Sequence, residues 1–438
     1  MTHDDTLTLN LEAPYFTAQS IQEIIDFNRK ENKQLLQEIQ IKDAARLEHY
    51  HLNSTPEQLE QVPYLKYLRN IEAGTVVAGV AEMDLPISQV YRETMKKVAD
   101  LELLGYTTNS NLEVHLREAF LEFMTKTVDL KVTADQEKEM LLTSHVMGAI
   151  SNIIETFSQV GDDILVPAPS YTAFFSDTRT LQRNVIEVNM SIENGNYRLK
   201  AEDIAAAVTP KTKILLFSNP HNPTGRLFSV DEVQAILDVC RKHNILVVSD
   251  DIHCHITPNK DLCYKPMHNL AQAGDRVISL FSTSKAFNAP GLKIAFALFS
   301  QSELHKAFTG RIPRHCYLSA PVPSILAVQN LLRFGQPWLD RVNALIAQNK
   351  AIAAHRIEAI DNISTNISES TYLIWLDCRS LDQTKFKAAL QAQKLVLSEG
   401  PDFGADWDGF YRINLATSLP VVHAIFDRLE AAVQQTKK

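Results

Sequence analysis

Residues 214–250 read ILLFSNPHNPTGRLFSVDEVQAILDVCRKHNILVVSD, and this stretch decides the fold class. It opens on an unbroken apolar run, Ile214 to Phe217, that gives way to a polar loop rich in proline. Ser229 then stands three residues before Glu232, the spacing of a capping box at a helix start. Val233, Ile236, Leu237 and Cys240 follow at helical spacing, so one face of that helix is apolar. A second apolar run, 245–248, closes the unit on Ser249-Asp250. Strand, helix and strand in succession predict a mostly parallel sheet covered by helices.

The same alternation of short β-branched runs and amphipathic stretches extends over about 76–320. Before it, Ile21, Ile24, Ile25 and Phe27, then Leu35, Leu36 and Ile39, recur among charges at helical spacing. Beyond Pro321 and Pro323 the pattern turns helical again, with Ile325, Leu326, Val328 and Leu331, and then strand-like at 372–376. A chain of 438 residues is long for one hydrophobic core. The expected division is an N-terminal extension over 1–75, a large α/β domain over 76–320 and a smaller α+β domain over 321–438. The extension is expected to pack with the small domain.

Composition narrows the function. Apolar residues make up 45% and charged residues 22%, as in ordinary globular proteins. A net charge of −9 without a run of Lys or Arg argues against a nucleic-acid or anionic-membrane surface. Residues 1–11 are acidic and polar, unlike a signal peptide, and the apolar runs are too short to span a bilayer. Cys240, Cys254, Cys263, Cys316 and Cys378 are odd in number and scattered, a poor basis for a disulfide framework or structural zinc. A reduced, cytoplasmic protein is the expectation.

Ligands of open α/β sheets bind beyond the carboxyl ends of the strands. Five predicted strands end on chemistry. Run 141–143 leads into Ser144-His145-Val146-Met147-Gly148, 164–166 into Pro169-Ser170-Tyr171, and 214–217 into Asn219-Pro220-His221-Asn222-Pro223-Thr224-Gly225. Run 245–248 leads into Ser249-Asp250-Asp251-Ile252-His253, and 277–281 into Ser282-Thr283-Ser284-Lys285. Five such ends on one sheet edge point to a site.

The Asn-Pro-x-Asn-Pro-Thr-Gly loop, the Asp closing the next strand and Ser-x-Ser-Lys, in that order, resemble fold-type I pyridoxal-5′-phosphate (PLP) enzymes, the aspartate-aminotransferase superfamily. The resemblance runs from about Ala81 to Arg412. It implies a seven-stranded sheet, bound PLP and a homodimer with shared active sites. Lys285 would be joined to the cofactor aldehyde and serve as base. Asp250 would face the pyridine nitrogen; Asp251 competes, but alternation along a strand puts the two on opposite sides. Asn222 and His253 would face the phenolic oxygen, and Tyr171 would stack on the ring. Val146 and Met147 amides, Ser282, Ser284 and Lys293 would hold the phosphate, with Tyr106 reaching the phosphate of the neighbouring subunit. Arg412 would clamp the substrate carboxylate.

Further features resemble the MalY/PatB branch of cystathionine β-lyases: Glu82-Met83-Asp84-Leu85-Pro86, Asp250-Asp251-Ile252-His253-Cys254, Ser284-Lys285-Ala286-Phe287-Asn288, Pro337-Trp338-Leu339-Asp340 and, above all, Thr371-Tyr372-Leu373-Ile374-Trp375-Leu376-Asp377-Cys378-Arg379. The chain departs from the family at His145, where Gly is usual, at Lys293, where Arg is usual, in its long N-terminal extension, and in Ala416-Thr417-Ser418 after the arginine. The branch implies β-elimination from an L-amino acid bearing a thioether, giving thiol, pyruvate and ammonia. Transamination uses the same residues and stays open, as does a regulatory protein on the same fold.

Overall fold

The computed structural model describes residues 33–61, 72–101, 105, 111–259, 263–313 and 320–436. The helical expectation at Ile21–Phe27 lies outside them.

Seven strands form the main sheet: β1 (Leu141–Thr143), β2 (Asp163–Ala168), β3 (Asn184–Asn189), β4 (Thr212–Ser218), β5 (Leu246–Asp250), β6 (Val277–Phe281) and β7 (Ala295–Phe299). Their order is β1-β7-β6-β5-β4-β2-β3. Only β7 runs against its neighbours; the other pairs are parallel. The apolar runs of β5 and β6 are buried at every residue, because helices cover both faces. Along β7 the period of two is visible in the packing. Ala295, Ala297 and Phe299 join the core on one face, Phe296 and Leu298 the core on the other.

Helices α1 (Lys33–Asn53), α2 (Gln89–Asp100), α3 (Leu112–Val128), α4 (Val146–Phe157), α5 (Thr172–Thr180) and α6 (Val230–Lys242) surround this sheet or brace it. In α6 the Ser229 hydroxyl accepts the Glu232 amide, and the Glu232 carboxylate accepts the Ser229 amide at 2.9 Å, as the sequence predicts. Its apolar face, Val233, Ile236, Leu237 and Cys240, is buried in the core. Ile39 and Leu47 of α1 join the same core as α2 and α3. Asp43 of α1, itself buried, accepts the Ser88 hydroxyl at 2.9 Å and the Gln89 amide at 2.8 Å, which fixes α1 to the start of α2.

A second, antiparallel sheet is built from β8 (Ser364–Thr365), β9 (Leu373–Asp377), β10 (Ser398–Glu399) and β11 (Phe410–Asn414), in the order β8-β9-β11-β10. Helix α7 (Val322–Phe334) packs against α2 and α3, while α8 (Gln336–Glu358) and α9 (Leu419–Thr436) pack with the second sheet, α9 supplying Val421, Val422, Ile425, Phe426 and Leu429 to its core. The chain enters this layer early. Val76–Val77 pairs in parallel with Leu395–Val396, and the residues that follow run between the two sheets. Asn414 donates its amide to Ala78 O at 2.7 Å, and Asp84 donates to Ala416 O at 2.8 Å. Segment 78–84 is thereby stitched to β11 directly above the carboxyl edge of the main sheet.

Candidate active site

Strands β1, β2, β4, β5 and β6 share a direction, so their carboxyl ends meet at one edge. A cavity of about 210 Å³ opens there. From β1 come Val146 and Met147 at the start of α4, from β2 comes Tyr171, and from β4 come Ser218 and Asn222. Strand β5 contributes Asp250 and His253, and the loop after β6 contributes Ser284, Lys285 and Lys293.

The charged groups face each other across this cavity. Lys285 donates to Ala81 O at 2.7 Å. Burial and the nearby Arg412 guanidinium push its amine down to about 8, against the pull of Asp250 and Glu82. Burial lifts the Asp250 carboxyl to about 7, although the Ile252 amide at 3.2 Å and Lys285 oppose it. Asp251 points away, accepting the Ser249 hydroxyl at 2.9 Å, and is absent from the cavity wall. The two acids thus have different surroundings, Asp251 standing one residue past the end of β5.

Arg412, on β11, is buried beside the cavity rather than in its lining. Its Nη1 donates to Asn222 Oδ1 at 2.9 Å and its Nη2 to Gly79 O at 2.7 Å. Phe403 lies under the guanidinium, 4.8 Å from ring centroid to Cζ. Tyr171 packs edge-on against Phe174, which holds its ring upright in the cavity wall.

Three predicted residues differ from the rest, for Arg412 also stands behind the cavity wall and meets it through Asn222. Ser282 stands outside the cavity wall. Its hydroxyl donates to Ile294 O at 2.8 Å and accepts the Ser284 amide at 3.2 Å, so its only proton is committed within the loop. Tyr106 lies outside the described residues.

These residues suit PLP. One end of the cavity offers the amides of Val146 and Met147, a helix start that favours an anion, with Lys293 beside it. The other end offers a buried carboxyl, and Lys285 supplies an amine between them. His253 is buried among these groups, and its Nδ1 pairs with no group among the described residues. A buried ring nitrogen without a partner is costly, and a polar atom of a bound molecule would satisfy it.

The sequence profile described as "Aminotransferase class I and II" matches residues 79–429. The chain belongs to this family. Within it the chain is similar to the protein MalY of Escherichia coli (strain K12), 29% identical over 290 residues that span 64% of this chain and 73% of MalY. It is similar to the cystathionine beta-lyase PatB of Bacillus subtilis (strain 168), 26% identical over 361 residues, 81% of this chain and 91% of PatB. Among solved structures it resembles a PLP-bound putative aminotransferase from Clostridium difficile 630, with a TM-score of 0.76 and 26% identity over 81% of this chain and 92% of the other. Helix α1 precedes the part of the chain that matches the family.

For this class I and II aminotransferase relative, the backbone of segment 79–84 is the part of the site that sequence reasoning missed. Gly79 O and Ala81 O are its acceptors for Arg412 and Lys285, and Ala81 O also accepts the Tyr372 hydroxyl at 3.0 Å. Asn288, whose family match carried no role, donates to Met83 O at 2.9 Å and accepts the Met83 amide at 3.1 Å. It pins this segment to the loop that carries Lys285. Carbonyl oxygens have no residue type; the conspicuous Glu82-Met83-Asp84 motif was the one signal that marked the place.

Proposed function

We propose that this chain is a PLP-dependent carbon–sulfur β-lyase. Its substrate is an L-amino acid with a thioether at Cβ, such as cystathionine or an S-substituted cysteine. With water it yields a thiol, pyruvate and ammonia. One observation carries the choice of reaction: the lysine, acid and arginine constellation stands in a chain similar to MalY and to the cystathionine beta-lyase PatB.

When bound, PLP supplies an aldehyde that takes up the amino group and a ring that draws electrons from the substrate Cα. The chain's own residues do the rest. Arg412 receives the substrate carboxylate through its guanidinium fork, with Asn222 holding its geometry. Lys285, with an amine pushed down to about 8, takes the Cα proton near neutral pH. Asp250 would face the pyridine nitrogen, and Tyr171 would cover the ring face. Asn222 and His253 would hold the phenolic oxygen. The amides of Val146 and Met147, the Ser284 hydroxyl and Lys293 would take the phosphate, while Ser282 shapes their loop. Enclosure of the cavity limits water around the reacting carbon.

Division into an extension (1–75), a large domain (76–320) and a small domain (321–438) is part of the same proposal, supported by the core that Ile374, Leu376, Tyr411 and Ile413 of the second sheet share with α9. So are a homodimer and a cytoplasmic location. Among the described residues no helix is long and apolar enough to cross a membrane.

The test is incubation of the loaded protein with L-cystathionine and several S-alkyl-cysteines in the absence of any keto acid. Pyruvate and free thiol in equal amounts are expected. Amino transfer that strictly needs a keto-acid acceptor, with no pyruvate from any thioether, would show an aminotransferase instead.

A further inference from the structure

His145 occupies the N-cap of α4 in extended conformation, and its Nδ1 accepts the Gly148 amide at 2.8 Å. A ring nitrogen that accepts a hydrogen bond carries no proton, so the neutral imidazole has its hydrogen on Nε2. Gly148 makes this posture possible, because a Cβ there would lie 2.9 Å from His145 Cε1. The ring lines the same cavity as Val146, Met147 and Lys293. One first-turn amide of α4 is thus spent on the ring, and the ring returns a donor farther out.

Beside the Val146 and Met147 amides and the Ser284 hydroxyl, the neighbouring groups add little directional donation. The Ser282 hydroxyl gives its proton to Ile294 O. Lys293 offers a compact charge without the planar fork of arginine. A neutral imidazole with a fixed tautomer adds a directional donor to the amides and hydroxyl already there. Burial and the charge of Lys293 hold His145 below its ordinary value, with Asp177 opposing. The Gly148 amide on Nδ1 is what fixes the tautomer.

We propose that His145 is a ligand of the cofactor phosphate, donating through Nε2–H beside the point charge of Lys293. The proposal rests on the PLP reading above. It assigns a binding role to a residue that stands where the family pattern has a glycine.

The experiment uses the full chain stripped of cofactor and titrated with PLP or with pyridoxal, which lacks the phosphate, following quenching of tryptophan fluorescence. Two replacements are compared with the wild type. His145→Ala removes both ring nitrogens. A 3-(4-thiazolyl)alanine at 145 keeps the nitrogen that caps Gly148 and has sulfur in place of Nε2–H. Loss of a hydrogen bond to a charged group predicts PLP binding about 10- to 100-fold weaker in both. Pyridoxal binding should stay within about twofold, since the phosphate contact is then irrelevant. A thiazolyl variant that binds PLP as tightly as the wild type would overturn the proposal, leaving His145 as a helix cap. So would equal losses for PLP and pyridoxal. A wild-type chain that binds no PLP would overturn the cofactor reading and this one together, an outcome distinct from the other two.

Discussion

Replacing Lys285 by Met should make the cofactor-free protein more stable while removing its activity. The ammonium of Lys285 is enclosed and lies near Arg412, and its affinity for a proton falls from the ordinary 10.5 to about 8. At about 1.4 kcal/mol per tenfold change in proton affinity, holding that charge costs roughly 3 kcal/mol at neutral pH. Met removes the charge and loses the hydrogen bond to Ala81 O, worth about 1 kcal/mol. Ala81 O keeps the Tyr372 hydroxyl at 3.0 Å and is not orphaned. The net gain is roughly 2 kcal/mol. Because the folded value lies below the unfolded one, the cost is full below pH 8 and fades as the pH climbs toward 10.5. The variant's advantage should therefore be largest at pH 6–7 and close to gone by about pH 10. Urea unfolding of both cofactor-free proteins across this range is the measurement. A wild type as stable as the variant at pH 7, or a difference that does not shrink with rising pH, would refute the electrostatic reasoning.

Arg412→Lys keeps a charge but forfeits the fork and its bonds to Gly79 O and Asn222; kcat/KM should fall about 10- to 100-fold, measured by pyruvate release. Lys350, buried in α8, donates to Ser368 O at 2.9 Å, Ser368 Oγ at 2.8 Å and Ser370 O at 2.7 Å, and burial pushes it down to about 7. Between pH 7 and 10.5 the unfolded chain holds more protons at this position, so stability should rise with pH; the rise should be smaller in Lys350→Met, read from unfolding midpoints at pH 7 and 10. Gly400→Ala would set a Cβ 1.7 Å from Trp407 O and displace the loop carrying Phe403 beneath Arg412. A loss of more than about 3 kcal/mol in thermal unfolding is expected, together with a raised KM.

What could be read from the sequence was chemistry borne by side chains at strand ends. Tyr171, Asn222, Asp250 and Lys285 were visible because each breaks an apolar run with a polar group that a strand end does not need. Strand β7 carries no such break: Ala295 to Phe299 is apolar throughout, and neither it nor the edge strand β3 was singled out. Strand β5 reaches Asp250 rather than stopping at Val248, since Ser218 and Asp250 still pair in the ladder. The buried Lys350 sits among Asn349, Ala351 and His355 in a helix whose composition suggests a solvated face. Only the approach of the loop carrying Ser368 and Ser370 encloses it.

The hidden half of the site is backbone, and the reason is physical. Lys285 and Arg412 come from different sheets, and their shared support is the chain between Gly79 and Asp84. Its carbonyls take Lys285 and Arg412, while Asn288 grips Met83 from the cofactor loop and Asn414 grips Val80 O and Glu82 O from β11. A base and a carboxylate clamp must be held at a fixed separation to act on the same carbon. Two asparagines on opposite sides of one extended segment achieve that, since each fixes backbone rather than a mobile side chain. The distance from Lys285 to Arg412 is therefore set by Asn288, Asn414 and the backbone of 79–84. In the proposed reaction these uncharged atoms would matter to the geometry as much as the charged groups do.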